Sequence, residues 1–444
     1  MDILLLSRIQ FSLTVMFHYI YPPLSIGLGL IILIMESMYM RSGDPLYRAM
    51  AKFWAKIFGL IFVIGVASGI VMEFEFGTNW STYSRYVGDV FGSPLAAEGV
   101  FAFFLESGFL AVLIFGWDKV SPRMHWLATF FVCLGAHLSA VWIIVANSWM
   151  QTPAGYHMVG SGLHARAEIT DFWAMVFNPS SVQRLSHVVS AAWITGAFLV
   201  LSVSAYYLLK KQHMAFAKAS MKVALMVAIA ACAGQLLTGR TSAEEVADMQ
   251  PTKLAAMEGH YAAHAPADFY LFGVVDEKNR QITGPNIPGM VSFLMSGNFK
   301  TPVAGLEAFK AEDRPPVAIT FYSYHLMVII GIVLTLLVAA GIGLWLMGRL
   351  FDSRWYLIIL VPSVLLPQLA NQLGWITAEV GRQPWIVYGL LRTSEGLSKV
   401  VKADAVLTSL IMFTVIYMLL FGLFIFLLDQ KIKNGPQDES LASL

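Results

Sequence analysis

The sequence predicts an all-α integral membrane protein, a polytopic bundle of about nine transmembrane helices with its N-terminus outside and its C-terminus cytoplasmic. Three observations carry this reading. Hydrophobic residues make up 57% of the chain and charged residues 13%, whereas soluble domains carry about a quarter charged residues, and the mean hydropathy is +0.66. Nine apolar runs reach the roughly 20 residues that a helix needs to cross a bilayer core. Lys and Arg between the runs are concentrated on alternate sides, which orients the bundle.

The runs lie near 12–35, 54–77, 95–117, 125–149, 186–209, 219–238, 319–347, 355–376 and 405–428. Loops 36–53, 118–124, 210–222 and 348–354 with the tail 429–444 hold 13 Lys and Arg in about 60 residues, against 15 in about 170 on the other side. The richer side is assigned to the cytoplasm. The chain then divides into spans one to six (1–238), an outer loop (239–318), and spans seven to nine with a cytoplasmic tail (319–444). The outer loop combines an expected helix over 251–264 with Gly- and Pro-rich turns. Its apolar residues, among them Phe269 and Phe272, argue against disorder. The first run reads as a retained helix rather than a cleaved signal peptide. Cys133 and Cys232 both fall inside spans and suggest neither a disulfide framework nor a metal motif. A net charge of +1 gives no reason to expect nucleic acid, and no internal repeat is visible.

Ionisable groups inside a membrane cost about 2.5–3.5 kcal/mol each on insertion scales and call for partners. His18 lies in the first span, Glu98 and Glu106 in the third, His187 opens the fifth, and His325 and Met327 stand early in the seventh. Glu379 and Arg382 close the eighth, three residues apart, placed to pair with each other or to hold one cofactor between them. Pro384 then ends that helix. Threading the chain through the bilayer puts His18, Glu98, His187, Met327 and Glu379 within two or three turns of the outer face. Imidazole and thioether are axial ligands of low-spin haem iron, so haem suits this set. Glu98 and Glu106, eight residues apart, lie about 80° and about 12 Å apart on an unbroken helix, a spacing suited to proton relay. Alternatively, Ser93 caps that helix with Pro94 as its first residue, leaving Glu98 an early-helix carboxylate.

Four strings carry a family resemblance: GWITAEVGRQPW (374–385), VWIIVANSWMQTPAG (141–155), PTKLAAMEGHY (251–261) and FYSYHLM (321–327). Together they resemble subunit I of the cytochrome bd-type quinol oxidases, in the branch with a short quinol loop. The resemblance implies a low-spin haem b between His187 and Met327, and high-spin haems at His18 and Glu379, one a haem b and the other a haem d or a third haem b. It implies Glu98 as a further iron ligand or proton carrier, and Glu106 on a proton path with His125 or Ser139 below it. Asn147, Trp149, Arg382 and Trp385 are expected around the cofactors, and Lys253 and Glu258 at quinol oxidation. His325 stands where many relatives carry an arginine that pairs with a haem propionate. Implied partners are subunit II, a small single-span subunit, ubiquinol or menaquinol, O2 and membrane lipid, in a bacterial or archaeal plasma (inner) membrane. A haem-b-only variant, a haem electron carrier and a proton-coupled transporter are the alternatives.

Overall fold

A computed structural model describes residues 2–263 and 265–436. Among them are nine candidate membrane spans, one for each apolar run. The first run is two helices, α1 (Ile3–His18) and α2 (Tyr21–Ser42), because Pro22 and Pro23 withhold two amide donors just where the ladder would continue. Gly43, at φ 69°, ends α2, and Asp44 accepts from the Leu46 amide to start α3 (Pro45–Gly77). The third span is α4 (Gly88–Glu98) and α5 (Phe104–Phe115), joined by a π turn over Gly99–Phe103. Ser93 therefore does not cap this helix, which begins at Gly88 and carries Pro94 in its interior. The π turn absorbs one extra residue, so Glu98 and Glu106 stand about 20° apart, as residues seven apart would, rather than about 80°.

Ser121 caps α6 (Pro122–Gln151) through the Met124 amide. Next come α7 (Ser181–Lys210) and α8 (Met214–Met249). Because α8 runs to Met249, the outer loop starts about ten residues later than its apolar content suggests. Within that loop, α9 spans Pro251–Glu258 rather than 251–264. Gly259 stops it at φ 69°, where a Cβ would lie 2.6 Å from Ile282; His264 lies outside the described residues, as do 437–444 of the tail. The remainder of the loop pairs Phe269–Tyr270 with Asn286–Ile287 and Val274–Asp276 with Gln281–Thr283 in short antiparallel ladders. Then follow α10 (Val317–Leu346), α11 (Arg354–Leu360), a 3-10 turn at Pro362–Val364, α12 (Leu365–Val380) and α13 (Ala403–Asn434).

The core joins α2, α3, α7 and α8 through Leu28, Ile31, Trp54, Phe58, Phe198 and Leu225, all fully buried. The most apolar stretch of α7 is 72% buried and that of α13 only 11%, which makes α7 the axis of the bundle and α13 an outer helix. Cys133 and Cys232 are buried and unbridged. At the α2–α7 crossing the helix backbones touch: a Cβ on Gly27 would lie 2.2 Å from the Ala192 carbonyl, and one on Gly196 would lie 2.4 Å from Gly27. Small residues permit such contact between membrane helices. G196A is expected to force these helices apart at a cost of about 1–3 kcal/mol, read as a lowered Tm of the detergent-purified protein beside an unchanged Tm for G422A, where a Cβ meets nothing.

Candidate functional site

A cavity of about 770 Å³ opens between the helices toward one end of the bundle, and His18, His187, Met327, Glu379, Asn147, Arg382 and Lys253 all line it. Each arrives on a different support. His18 is the last residue of α1, its Nδ1 3.1 Å from Ser68 Oγ, and its ring lies against Gly69, where a Cβ would approach to 3.1 Å. His187 sits two turns into α7, with Thr238 Oγ1 3.2 Å from Nδ1 and the Gln235 amide 2.9 Å from Nε2. Met327 packs its sulfur where a Cβ on Gly374 would come within 2.9 Å, so that glycine makes room for the thioether. Among the described residues no three His, Cys, Asp or Glu side chains gather to hold a bare metal ion; the candidate ligands stand singly around the cavity.

One wall is strongly polar. The Glu379 carboxylate accepts from Arg382, from Asn147 Nδ2 at 3.1 Å and from Gln151 Nε2 at 3.4 Å. Arg184 donates to Asn147 Oδ1, and Lys253 Nζ donates to Gln151 Oε1 at 2.6 Å. Burial, with the Arg184 and Arg382 charges close by, holds the Lys253 ammonium well below its ordinary pKa. Arg184, Arg382 and Lys253 thus face two carboxylates, Glu379 and Glu245. Arg184 Nε and Arg382 Nη1 are buried without a hydrogen-bond partner, donors that such a site leaves for an anionic ligand.

The other expected site residues stand off the cavity. Trp149 is fully buried and donates its indole N–H to the Ala154 carbonyl at 2.9 Å, packing edge-on against Tyr156. Trp385 supports Arg382 through its backbone carbonyl, and Arg392 lies over its ring at 4.6 Å. His325 turns away from the cavity. It stacks on Phe321, with Nδ1 3.0 Å from the Phe321 carbonyl and Nε2 4.0 Å from Glu258 Oε2. Glu258 takes a hydrogen bond from Tyr324, and burial pushes its carboxyl up to about 8. Lys253 and Glu258 are both 3% exposed, so α9 is no solvated surface helix: it turns Lys253 to the cavity and Glu258 to α10. Glu98 accepts from Ser139 at 2.9 Å, which puts Ser139 beside Glu98 rather than below Glu106. Glu106 packs on α6 at Gly135, where a Cβ would meet its Cβ at 2.9 Å.

Sequence reasoning missed Arg184, Gln151, Gln235 and Glu245, all cavity residues. Arg184 was open to detection, since it precedes His187 by three and shares its helix face. It also missed Glu75, 1% exposed and bonded to Thr14 at 2.6 Å away from the cavity.

Residues 6–436 match the family described as cytochrome bd terminal oxidase subunit I. The chain is 42% identical to cytochrome bd ubiquinol oxidase subunit 1 of Bacillus subtilis, covering 99% of this chain and 96% of that one. It is 35% identical to cytochrome bd-II ubiquinol oxidase subunit 1 of Escherichia coli, over 98% and 97%. The bd oxidase structure from Geobacillus thermodenitrificans superposes with a TM-score of 0.90 at 30% identity, over 98% of this chain and 99% of that one. With a match this long in both sequence and fold, the chain belongs to the cytochrome bd terminal oxidase subunit I family.

Proposed function

We propose that this multi-pass bacterial plasma-membrane protein is the haem-bearing subunit of a quinol:oxygen oxidoreductase. The observation that carries the reading is the convergence of His18, His187, Met327 and Glu379 on one cavity beside two buried arginines with unpartnered donors. The cavity fits haem on its own chemistry: two imidazoles, a thioether and a carboxylate as iron ligands, and unpartnered Arg184 and Arg382 donors for propionates. His187 and Met327 would hold a low-spin haem b, and His18 and Glu379 the high-spin haems, one a haem b and the other a haem d or a third haem b. Glu98 is better read as a proton carrier than as a ligand, since it bonds Ser139 away from the cavity. When bound, these groups supply one-electron transfer and oxygen reduction to water.

The residues of the chain manage the protons and the charge. Glu258 takes a proton as quinol is oxidised, and Lys253, poised at Gln151 on the cavity wall, stabilises the developing negative charge. With the basic loops in the cytoplasm, quinol protons leave on the outer side. Glu106 and Glu98, brought to one helix face by the π turn, pass protons from the cytoplasm to the oxygen-reducing site. Protons released on one side and consumed from the other generate proton motive force without pumping. Subunit II completes the enzyme, with a small single-span subunit beside it; the substrate is ubiquinol or menaquinol.

Three measurements test this reading. A reduced-minus-oxidised and carbon monoxide difference spectrum of the purified complex, with pyridine haemochromes, is expected to count three haems and a carbon monoxide shift. A chlorin band marks haem d and its lack the haem-b-only variant, whereas one haem blind to carbon monoxide means an electron carrier and no haem a transporter. E106Q is expected to slow oxygen reduction and proton uptake while the haem spectra stay as they are; unaltered turnover removes Glu106 from the path. For Glu258 the sign follows from its raised pKa. Below about pH 8 the buried carboxyl is already protonated and cannot accept, and above it the carboxylate can. Quinol oxidation should therefore rise with pH through that range, and E258Q should fall by about 100-fold and lose the rise.

A further inference from the structure

The interruption that ends α1 at His18 is bridged by another helix. Between α1 and α2 the hydrogen-bond ladder fails: the Tyr19 amide still meets the Val15 carbonyl at 2.8 Å, but the Ile20 amide turns to the Phe17 carbonyl at 3.4 Å and no longer serves the Met16 carbonyl. Pro22 and Pro23 have no amide hydrogen to give. Two glutamines of α12 supply donors instead. Gln372 Nε2 donates to the Met16 carbonyl at 2.8 Å, and Gln368 Nε2 to the Ile20 carbonyl at 3.1 Å. These carbonyls stand two residues before and two residues after His18. The backbone that carries His18 is therefore gripped on both sides by one neighbouring helix, while Ser68 Oγ meets its ring at Nδ1.

Each amide must point this way, since a carbonyl only accepts. The oxygens left over, Gln368 Oε1 and Gln372 Oε1, are buried without a hydrogen-bond partner. A buried, unsatisfied acceptor costs stability, so a helix that had only to pack would carry apolar side chains at both positions. Groups left uncompensated in this way gather where function requires a particular arrangement.

The arrangement here fixes an offset between two candidate ligands. Gln368, Gln372 and Glu379 fall on one stripe of α12, within about 40° of each other, with Glu379 about 10 Å along the axis from Gln372. Asn371 of the same helix donates to Thr195 of α7 at 2.9 Å, which ties α12 to the axis of the bundle. One end of α12 thus holds the backbone of His18, and the other end carries Glu379.

We propose that Gln368 and Gln372 are positioning residues that set His18 at a fixed offset from Glu379 in the cavity. The proposal rests on reading His18 as an axial ligand of a high-spin haem. Neither glutamine lines the cavity; both act through the backbone of residues 16–20.

Q372M and Q368M in the assembled oxidase are the test, because methionine keeps the length of glutamine but has no donor. The iron–histidine stretching band in the resonance Raman spectrum of the reduced enzyme reads the bond to His18. In Q372M this band is expected to shift and the carbon monoxide difference band to move with it. The haem at His18 should pass to a haem-scavenging apoprotein about tenfold faster, while the band of the low-spin haem between His187 and Met327 stays in place. The double variant Q368M/Q372M should exceed either single change. A lowered Tm with the iron–histidine band unmoved overturns the proposal and leaves the glutamines a packing tie. Should Q372M fail to assemble, Q368M, which cuts only the longer bond, is read by the same two outcomes. H18A separates the two readings: a band that survives in H18A is a failure of the ligand reading, whereas a band lost in H18A but unmoved in Q368M/Q372M is a failure of the positioning role alone.

Discussion

The buried carboxylate of Glu379 is the interaction on which the site depends. An ion taken from water into a membrane protein is stable only with good geometry and several partners. Glu379 secures them from three places: Arg382 just past its own helix, and Asn147 and Gln151 on α6. Gln151 in turn accepts from Lys253 of the outer loop, and Asn147 from Arg184 of α7. One carboxylate therefore registers α6, α7, α9 and α12 around a single wall, and the same ties leave two arginine donors unspent. A site with these donors free is ready for an acidic ligand before one arrives.

Part of the chemistry sits where the membrane helices are broken, while His187 and Met327 lie within continuous helices. His18 ends α1 at the Pro22–Pro23 interruption, Glu98 and Glu106 flank a π turn, and Glu379 precedes a loop that returns as a short hairpin. Irregular backbone inside a bilayer is tolerated only where protein covers it or a cavity solvates it, and π turns recur at functional sites. Elsewhere the bundle is regular and close, as at the Gly27–Gly196 crossing. That rigidity keeps groups on seven helices aimed at one volume.

The outer loop shows how one short helix serves two environments. Lys253 and Glu258 are five positions apart on α9, far enough round the helix that one side chain reaches the cavity while the other meets Tyr324 and His325. Gly259 makes this possible by ending the helix at once and letting Ile282 close over it. His325 belongs to this second environment. Its two-residue offset from Met327 places the two side chains on different faces of α10, so the ring sits among Phe321 and Phe269 while the thioether faces the cavity.

Composition and apolar run length determined the class of this protein, the nine spans and their order, because a segment of about 20 apolar residues has few other stable settings than a membrane helix. Residue chemistry within the apolar runs likewise marked His18, His187, Met327 and Glu379 as a set. What only the tertiary structure decided lies between helices or at their ends. Trp149 spends its N–H locally, Ser139 serves Glu98, Arg184 and Gln151 complete the cavity wall, and Glu36 meets His125 across 89 residues. Periodicity shows which face of one helix a residue occupies, but partners on other helices depend on packing at glycine crossings and on breaks such as the π turn, which shift every face beyond them.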